Sequence, residues 1–206
     1  MPIRLAALED ADAIAAIYGA YVTSSTATFE VAPPSAAEMR DRLQRIRQRH
    51  PWLVHIDDDG NVVAYAYACA HRARAAYQWT VESSVYVAAD GQRRGIAAGL
   101  YARLFDCLRH LGVHRVLAGI TAGNEGSTRF HQKAGFTKVG TYVDVGYKFD
   151  AWHDVTWWQL QLLDGPPGLA NAPRFEGQRE SKEERYGPSF KPLPQRNGAP
   201  HCNGHE

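Results

Sequence analysis

The feature that most constrains this chain is an unbroken succession of strand, short loop, long helix and strand between residues 81 and 121. Val81, Ser83, Val85 and Val87 alternate with Glu82, Ser84 and Tyr86, the period of a strand with two chemically different faces, so Glu82 and Tyr86 share a side. Ile96, Leu100, Leu104, Leu108 and Leu111 then recur at helical spacing until Gly112, a suitable stop. A further strand runs from about His114 to Thr121. Such a unit demands a layered α/β arrangement.

The flanking sequence supplies the other elements. Ile14, Ile17, Tyr21 and Val22 mark a first helix behind Glu9 and Asp10, and Ser35 with Glu38 has the form of a capping box before Met39, Leu43 and Ile46. Trp52 to Ile56 and Val62 to Ala70 flank Asp57-Asp58-Asp59-Gly60-Asn61 and predict an antiparallel hairpin. A short helix is predicted from about Ser127 to Ala134, and two strands over roughly Thr137 to Val145 and Val155 to Leu162. After Leu163 the chain turns rich in proline and glycine without apolar periodicity, so the reading is one domain over residues 1–163 and a flexible tail over 164–206.

The 23 basic and 22 acidic residues nearly cancel, which excludes the broad field that draws a protein to nucleic acid or an anionic membrane. No run approaches the roughly 20 apolar residues of a membrane span, and Met1-Pro2-Ile3-Arg4 does not open a signal sequence, so a cytoplasmic protein is expected. Cys69, Cys107 and Cys202 have no zinc-site spacing, and His201, Cys202 and His205 are too short a cluster to count as a metal site, so no metal is expected.

Gln92-Arg93-Arg94-Gly95-Ile96-Ala97 lies where the strand passes into the long helix, and there free amides and the positive end of the helix dipole favour an anion. Gly95 and Ala97 keep bulky side chains away from a ligand, while Arg93 and Arg94 add charge. An ordinary helix start with a solvated arginine pair fits these residues equally well. The loop is neither a Walker nor a Rossmann motif, so another phosphate ligand is implied.

Gln-x-x-Gly-x-Gly/Ala between strand and helix resembles the acetyl-CoA loop of the Gcn5-related N-acetyltransferase (GNAT) superfamily. Asn124-Glu125-Gly126-Ser127 followed by Gly135-Phe136 resembles its later segment. Pro51-Trp52-Leu53-Val54, Arg74-Ala75-Ala76-Tyr77, Trp79-Thr80-Val81-Glu82-Ser83, Val85-Tyr86-Val87 and Trp152-His153-Asp154-Val155 together look like the phosphinothricin N-acetyltransferase branch. The resemblance covers about residues 3 to 162. It implies a mixed, mostly antiparallel sheet flanked by helices, the acyl-CoA N-acyltransferase fold. It also implies acetyl transfer from acetyl-CoA to the α-amino group of phosphinothricin or a similar small amino-acid analogue. Enzymes for methionine sulfoximine or sulfone or another amino acid, enzymes for protein amines, and a non-catalytic acyl-CoA sensor are the competing readings.

The same resemblance assigns the site. An ammonium must lose a proton before it attacks a thioester, and Glu82 stands where the family keeps its catalytic glutamate. The amides of Val85, Tyr86 and Val87 are expected to donate to the thioester carbonyl where the strand splays, and Gln92, Arg93, Arg94, Gly95, Ile96, Ala97 and Ala98 to hold the pyrophosphate. Asn124 and Ser127 complete the cofactor side. His131, four residues before Gly135, replaces the tyrosine common in the superfamily and matches a histidine thought to assist catalysis in this branch; a structural histidine is the alternative. Arg72 and Arg74 are expected to hold a carboxylate or phosphinate, and Phe29, Tyr77 and Tyr86 to wall the acceptor pocket. Neighbours on a strand point to opposite faces, so His153 and Asp154 are not a catalytic pair; the tryptophans around Trp152 suit a homodimer contact.

Overall fold

The computed structural model describes residues 3–165. Ile3–Leu5 forms strand β1, a run too short for periodicity to disclose. Arg4 reaches back from it to the carboxylate of Asp10 with both guanidinium nitrogens, at 2.7 and 2.8 Å. Burial pushes the Asp10 carboxyl upward, but the bonds from Arg4 and from the Ala7 amide outweigh it and leave the group below its ordinary range. Helix α1 (Ala11–Ser24) follows, and α2 (Ala36–Arg47) starts at the predicted capping box, where the Ser35 amide donates to Glu38 Oε2 at 2.7 Å and the Glu38 amide to Ser35 Oγ at 3.2 Å.

The predicted hairpin forms strands β2 (Trp52–Ile56) and β3 (Val62–Ala70), and β3 pairs antiparallel with β4 (Thr80–Val87). Helix α3 (Ile96–His110) crosses to β5 (Arg115–Thr121), which lies parallel to β4. Helix α4 (Glu125–Lys133) then leads to the hairpin of β6 (Thr137–Lys148) and β7 (Ala151–Gln161). The seven strands lie in the order β1-β2-β3-β4-β5-β7-β6, with β4 and β5 as the one parallel pair, so the expected mixed, mostly antiparallel sheet is present.

Strand alternation divides the interior into two cores. Ala64, Ala66 and Ala68 of β3 and Val81 of β4 face α3, whose Leu100, Leu104 and Leu108 are fully buried. Each such leucine contributes roughly 1.5–3 kcal/mol of burial. Tyr65, Tyr67 and Tyr86 face the other way, among Tyr18 and Val22 of α1 and Met39 and Leu43 of α2. The small alanines let α3 approach the sheet closely, while the aromatic rows fill the wider gap beneath the two shorter helices.

The last hairpin is longer than the pattern predicts. Phe149 and Asp150 both take positive φ, at 51° and 57°, so the turn has two residues and lacks the glycine or asparagine that normally announces one. A register shift between Tyr142 and Gly146 also breaks the alternation of β6; there Asp144 sits at φ 48° and its amide donates to Asp154 Oδ1 at 2.9 Å. The expectation of a tail, and of an idle His201, Cys202 and His205 cluster within it, lies outside the described residues.

Candidate active site

β4 and β5 share register only over Thr80–Glu82 opposite Arg115–Leu117. Beyond Glu82 the two strands separate, although β4 remains paired with β3 and β5 with β7 along their lengths. The sheet therefore opens into a wedge whose vertex is Glu82. Val87 directs its amide and carbonyl away from β3, to the hydroxyl of Tyr21, which accepts from the amide at 3.3 Å and donates to the carbonyl at 2.7 Å. Backbone groups alternate edges along a strand, so the Val85 amide faces the wedge as Val87 does.

The loop at the mouth of the wedge is shaped by two left-handed residues, Arg93 at φ 61° and Gly95 at φ 78°. Gly95 is the N-cap of α3, with no side-chain cap and no acid in the first helical turn, so the first amides of Ile96, Ala97 and Ala98 are left to a ligand. Gln92, Arg93, Arg94 and Gly95 are all exposed. This chemistry suits a pyrophosphate: open amides and two guanidiniums, with no hydrogen-bond partner for either among the described residues. The Gln92 Nε2 donates to the Tyr21 hydroxyl at 3.2 Å and so braces the loop against α1.

Asn124 caps α4, its Oδ1 accepting from the Ser127 amide at 3.0 Å, which starts that helix two residues earlier than its apolar pattern suggests and leaves the Asn124 side-chain NH2 as its donor toward a ligand. Ser127 in turn serves His131. The Ser127 carbonyl can only accept, so His131 Nδ1, at 2.8 Å, carries the proton, and Nε2 accepts from Tyr101 at 3.1 Å. Tyr101 closes the chain on Ser83 Oγ at 3.2 Å. Burial lowers the His131 pKa and burial raises that of Tyr101, so both stay neutral.

Glu82 and His131 are thus not brought together. Ser83 and Glu82 point to opposite faces of β4, which puts His131 in the α3 core and Glu82 on the face of α1 and α2. The partner that Glu82 does meet is His71, whose Nδ1 lies 2.7 Å from Glu82 Oε1. His71 follows the end of β3, with the ring of Tyr77 edge-on at 5.7 Å and that of Trp157 at 6.3 Å. No local pattern points to His71, because it is the pairing of Cys69 with Glu82 that brings the end of β3 beside this carboxylate.

The residues expected on the acceptor side are divided. Arg72 and Arg74 are exposed in the loop that carries His71, and Tyr77 is half-exposed beside it. Phe29 packs from the loop between α1 and α2 against Gly146 of β6, so closely that a Cβ on Gly146 would collide with its ring, and the Phe29 ring centroid lies 6.0 Å from that of His153. That loop is tied down by the buried Lys148, whose Nζ donates to the carbonyls of Ser25 and Thr28 at 2.9 and 2.8 Å, and by Thr121 bonding the Thr26 carbonyl. Tyr86 corrects the expectation of a pocket wall. The residue is 5% exposed, its ring packed among Tyr18, Tyr21 and Tyr65 in the core, and its backbone pairs with Tyr65 of β3 rather than facing the wedge. His153 and Asp154 are separated as expected, bonding the Lys148 carbonyl and the Asp144 amide.

Comparison with known proteins decides the family. Residues 3–157 match the acetyltransferase (GNAT) domain. The chain belongs to the GNAT acetyltransferase family. A phosphinothricin N-acetyltransferase of Streptomyces viridochromogenes is 40% identical over 166 residues, 80% of this chain and 90% of that protein. An L-methionine sulfoximine/L-methionine sulfone acetyltransferase of Pseudomonas paraeruginosa is 36% identical over 161 residues, 78% of this chain and 94% of that one. The GNAT phosphinothricin acetyltransferase of Sinorhizobium meliloti, solved with acetyl-CoA, superposes with a TM-score of 0.76 at 32% identity and covers 85% of this chain and 94% of its own. Among the described residues no group of three or more metal-binding side chains occurs and no helix is long and apolar enough to cross a membrane.

Proposed function

We propose that this GNAT enzyme acetylates the α-amino group of a small amino-acid analogue bearing a tetrahedral anionic group, phosphinothricin being the reference acceptor, with acetyl-CoA as donor in the cytoplasm. The observation that carries the reading is the carboxylate of Glu82 at the vertex of the opened sheet, between the cofactor loop on one side and the arginine-bearing loop on the other. The pyrophosphate falls to the α3 amides with Arg93 and Arg94, the pantetheine arm to the β4 edge with Asn124, and the thioester oxygen to the Val85 amide. Glu82 removes the ammonium proton, directly or through a neighbour. Arg72 and Arg74 take the acceptor's anionic groups, with Tyr77 beside them. His131 acts here as a positioning residue, holding the far side of β4 through Tyr101 and Ser83.

The relative that acts on methionine sulfoximine and sulfone supports a second acceptor class, since tetrahedral sulfur and phosphorus present similar oxygens to a guanidinium pair. The test is kcat/KM, read by thiol release, across phosphinothricin, methionine sulfoximine, methionine sulfone and the common amino acids. A tetrahedral analogue is expected to lead by at least about tenfold, since a hydrogen bond to a charged group contributes about 1.5–3 kcal/mol and an ordinary side chain would not make it. Equal rates on the ordinary amino acids would sink the substrate assignment.

The enzyme is proposed to be a homodimer joined through the last hairpin. β6 is an edge strand, and Tyr142, Val143, Tyr147, Phe149 and Trp152 of the hairpin are each more than half exposed. An unpaired edge with that much apolar surface needs a cover, and a second copy supplies one of matching chemistry. Sedimentation should find a dimer, and Trp152→Glu should weaken it by about 30-fold or more, as loss of a central aromatic anchor does. A native chain that sediments as a monomer at micromolar concentration overturns the dimer.

A further inference from the structure

We infer that His71 is the residue that takes the proton from the acceptor amine, with Glu82 behind it as the carboxylate that fixes its tautomer and faces the charge it gains. The inference rests on the acetyltransferase reading above and replaces direct proton transfer to Glu82 with a two-residue relay.

The two histidines whose side chains are linked to β4 side chains differ in what they have left to give. His131 has Nδ1 committed to the Ser127 carbonyl and Nε2 to Tyr101, inside the α3 core. His71 has only Nδ1 engaged, at 2.7 Å from Glu82 Oε1, and Nε2 makes no hydrogen bond among the described residues. A carboxylate can only accept, so Nδ1 carries the proton and Nε2 presents its lone pair, the tautomer a general base requires. The side chains of Glu82 and His71 are 12% and 15% exposed, so the carboxylate lies slightly deeper and the imidazole keeps a path outward. Tyr77 from the following turn and Trp157 from β7 hold the ring by its edges. The titratable neighbours are Glu82 and Tyr77, with the exposed Arg72 next in the chain.

The proton inventory suits this arrangement. An acceptor ammonium gives one proton to Nε2, which passes it to water. The freed lone pair then attacks the thioester carbon. The nitrogen of the tetrahedral intermediate gives up a second proton to Nε2, the carbon–sulfur bond breaks, and that proton goes to the departing thiolate. The products are the N-acetyl compound, CoA thiol and one released proton. While the imidazole is charged, Glu82 accepts the bond from Nδ1–H and stabilises it.

The test compares His71→Asn with Glu82→Gln. Asparagine can keep an N–H toward Glu82 but offers no basic nitrogen. We expect H71N to bind acetyl-CoA like the native chain and to lose about 10²-fold or more in kcat. The loss should be smaller by about tenfold or more with an acceptor whose nitrogen is already unprotonated at the assay pH, such as a hydrazide, because the first of the two proton transfers is no longer needed. His71→Ala with added imidazole gives the independent readout, with partial recovery expected. H71N with near-native kcat beside an inactive E82Q would overturn the relay and leave Glu82 as the base. A loss in H71N that is equal for both acceptor types, with no recovery by imidazole in H71A, would reduce His71 to a structural neighbour. Native kcat in both H71N and E82Q would remove the base assignment as a whole.

Discussion

Glu82→Gln is expected to retain acetyl-CoA binding and to lower kcat by about 10²- to 10⁴-fold. The backbone at this position is fixed from both sides, by Cys69 of β3 and Leu117 of β5, so the substitution exchanges a charge for an amide without disturbing the sheet. The groups proposed to hold the cofactor lie mostly on a different stretch, from Val85 through the start of α3, and the hydrogen bond of Glu82 goes to His71 instead. Glutamine is nearly isosteric and can still meet His71, so what is lost is the capacity to accept or support a proton. Steady-state kinetics with calorimetric titration of acetyl-CoA separates the two effects. An unchanged kcat in this variant would take Glu82 out of the mechanism.

The loop proposed to hold the donor could be singled out in the sequence because it is local. Gln92 to Ala98 is contiguous, its glycine and alanine spacing is dictated by backbone approach to an anion, and the structure adds the positive φ of Arg93 and Gly95 and the absence of a cap. Glu82 could be placed on the polar side of its strand from alternation alone. The partners of these residues were not legible, because they come from register. His71 lies 11 positions from Glu82, and Tyr21 lies 71 from Gln92. Tyr86 shows the converse failure: sharing a strand face with Glu82 put it in the tyrosine core under α1 rather than in a pocket. The β6–β7 turn was missed because Phe149 and Asp150 adopt positive φ without the residues that usually advertise it.

Replacing His131 should first be felt in stability and in its dependence on pH. The ring joins Ser127, Tyr101 and Ser83 in a buried chain, so His131→Phe removes the hydrogen bonds to the Ser127 carbonyl and from the Tyr101 hydroxyl, at about 0.5–1.5 kcal/mol each, and leaves that hydroxyl with Ser83 alone. Burial holds the folded-state pKa of His131 below that of an unfolded histidine, near 6.5. The unfolded chain therefore binds more protons in this range. The neutral ring's contribution is fully present above about pH 6.5 and is lost as pH falls through the folded value, with a slope approaching about 1.4 kcal/mol per pH unit. His50, lowered to about 4, and His55, also lowered by burial, add slopes of the same sign. His131→Gln, which can still accept from Tyr101 and donate to Ser127, should thus keep most of the stability at pH 7 while flattening the decline toward pH 5 by about one histidine's share. Denaturant titrations of the native chain and both variants at the two pH values measure this. The same variants separate support from chemistry: kcat of the glutamine variant within about tenfold of native fits a residue that positions β4, whereas a loss beyond about 10²-fold at unchanged stability would return His131 to proton transfer.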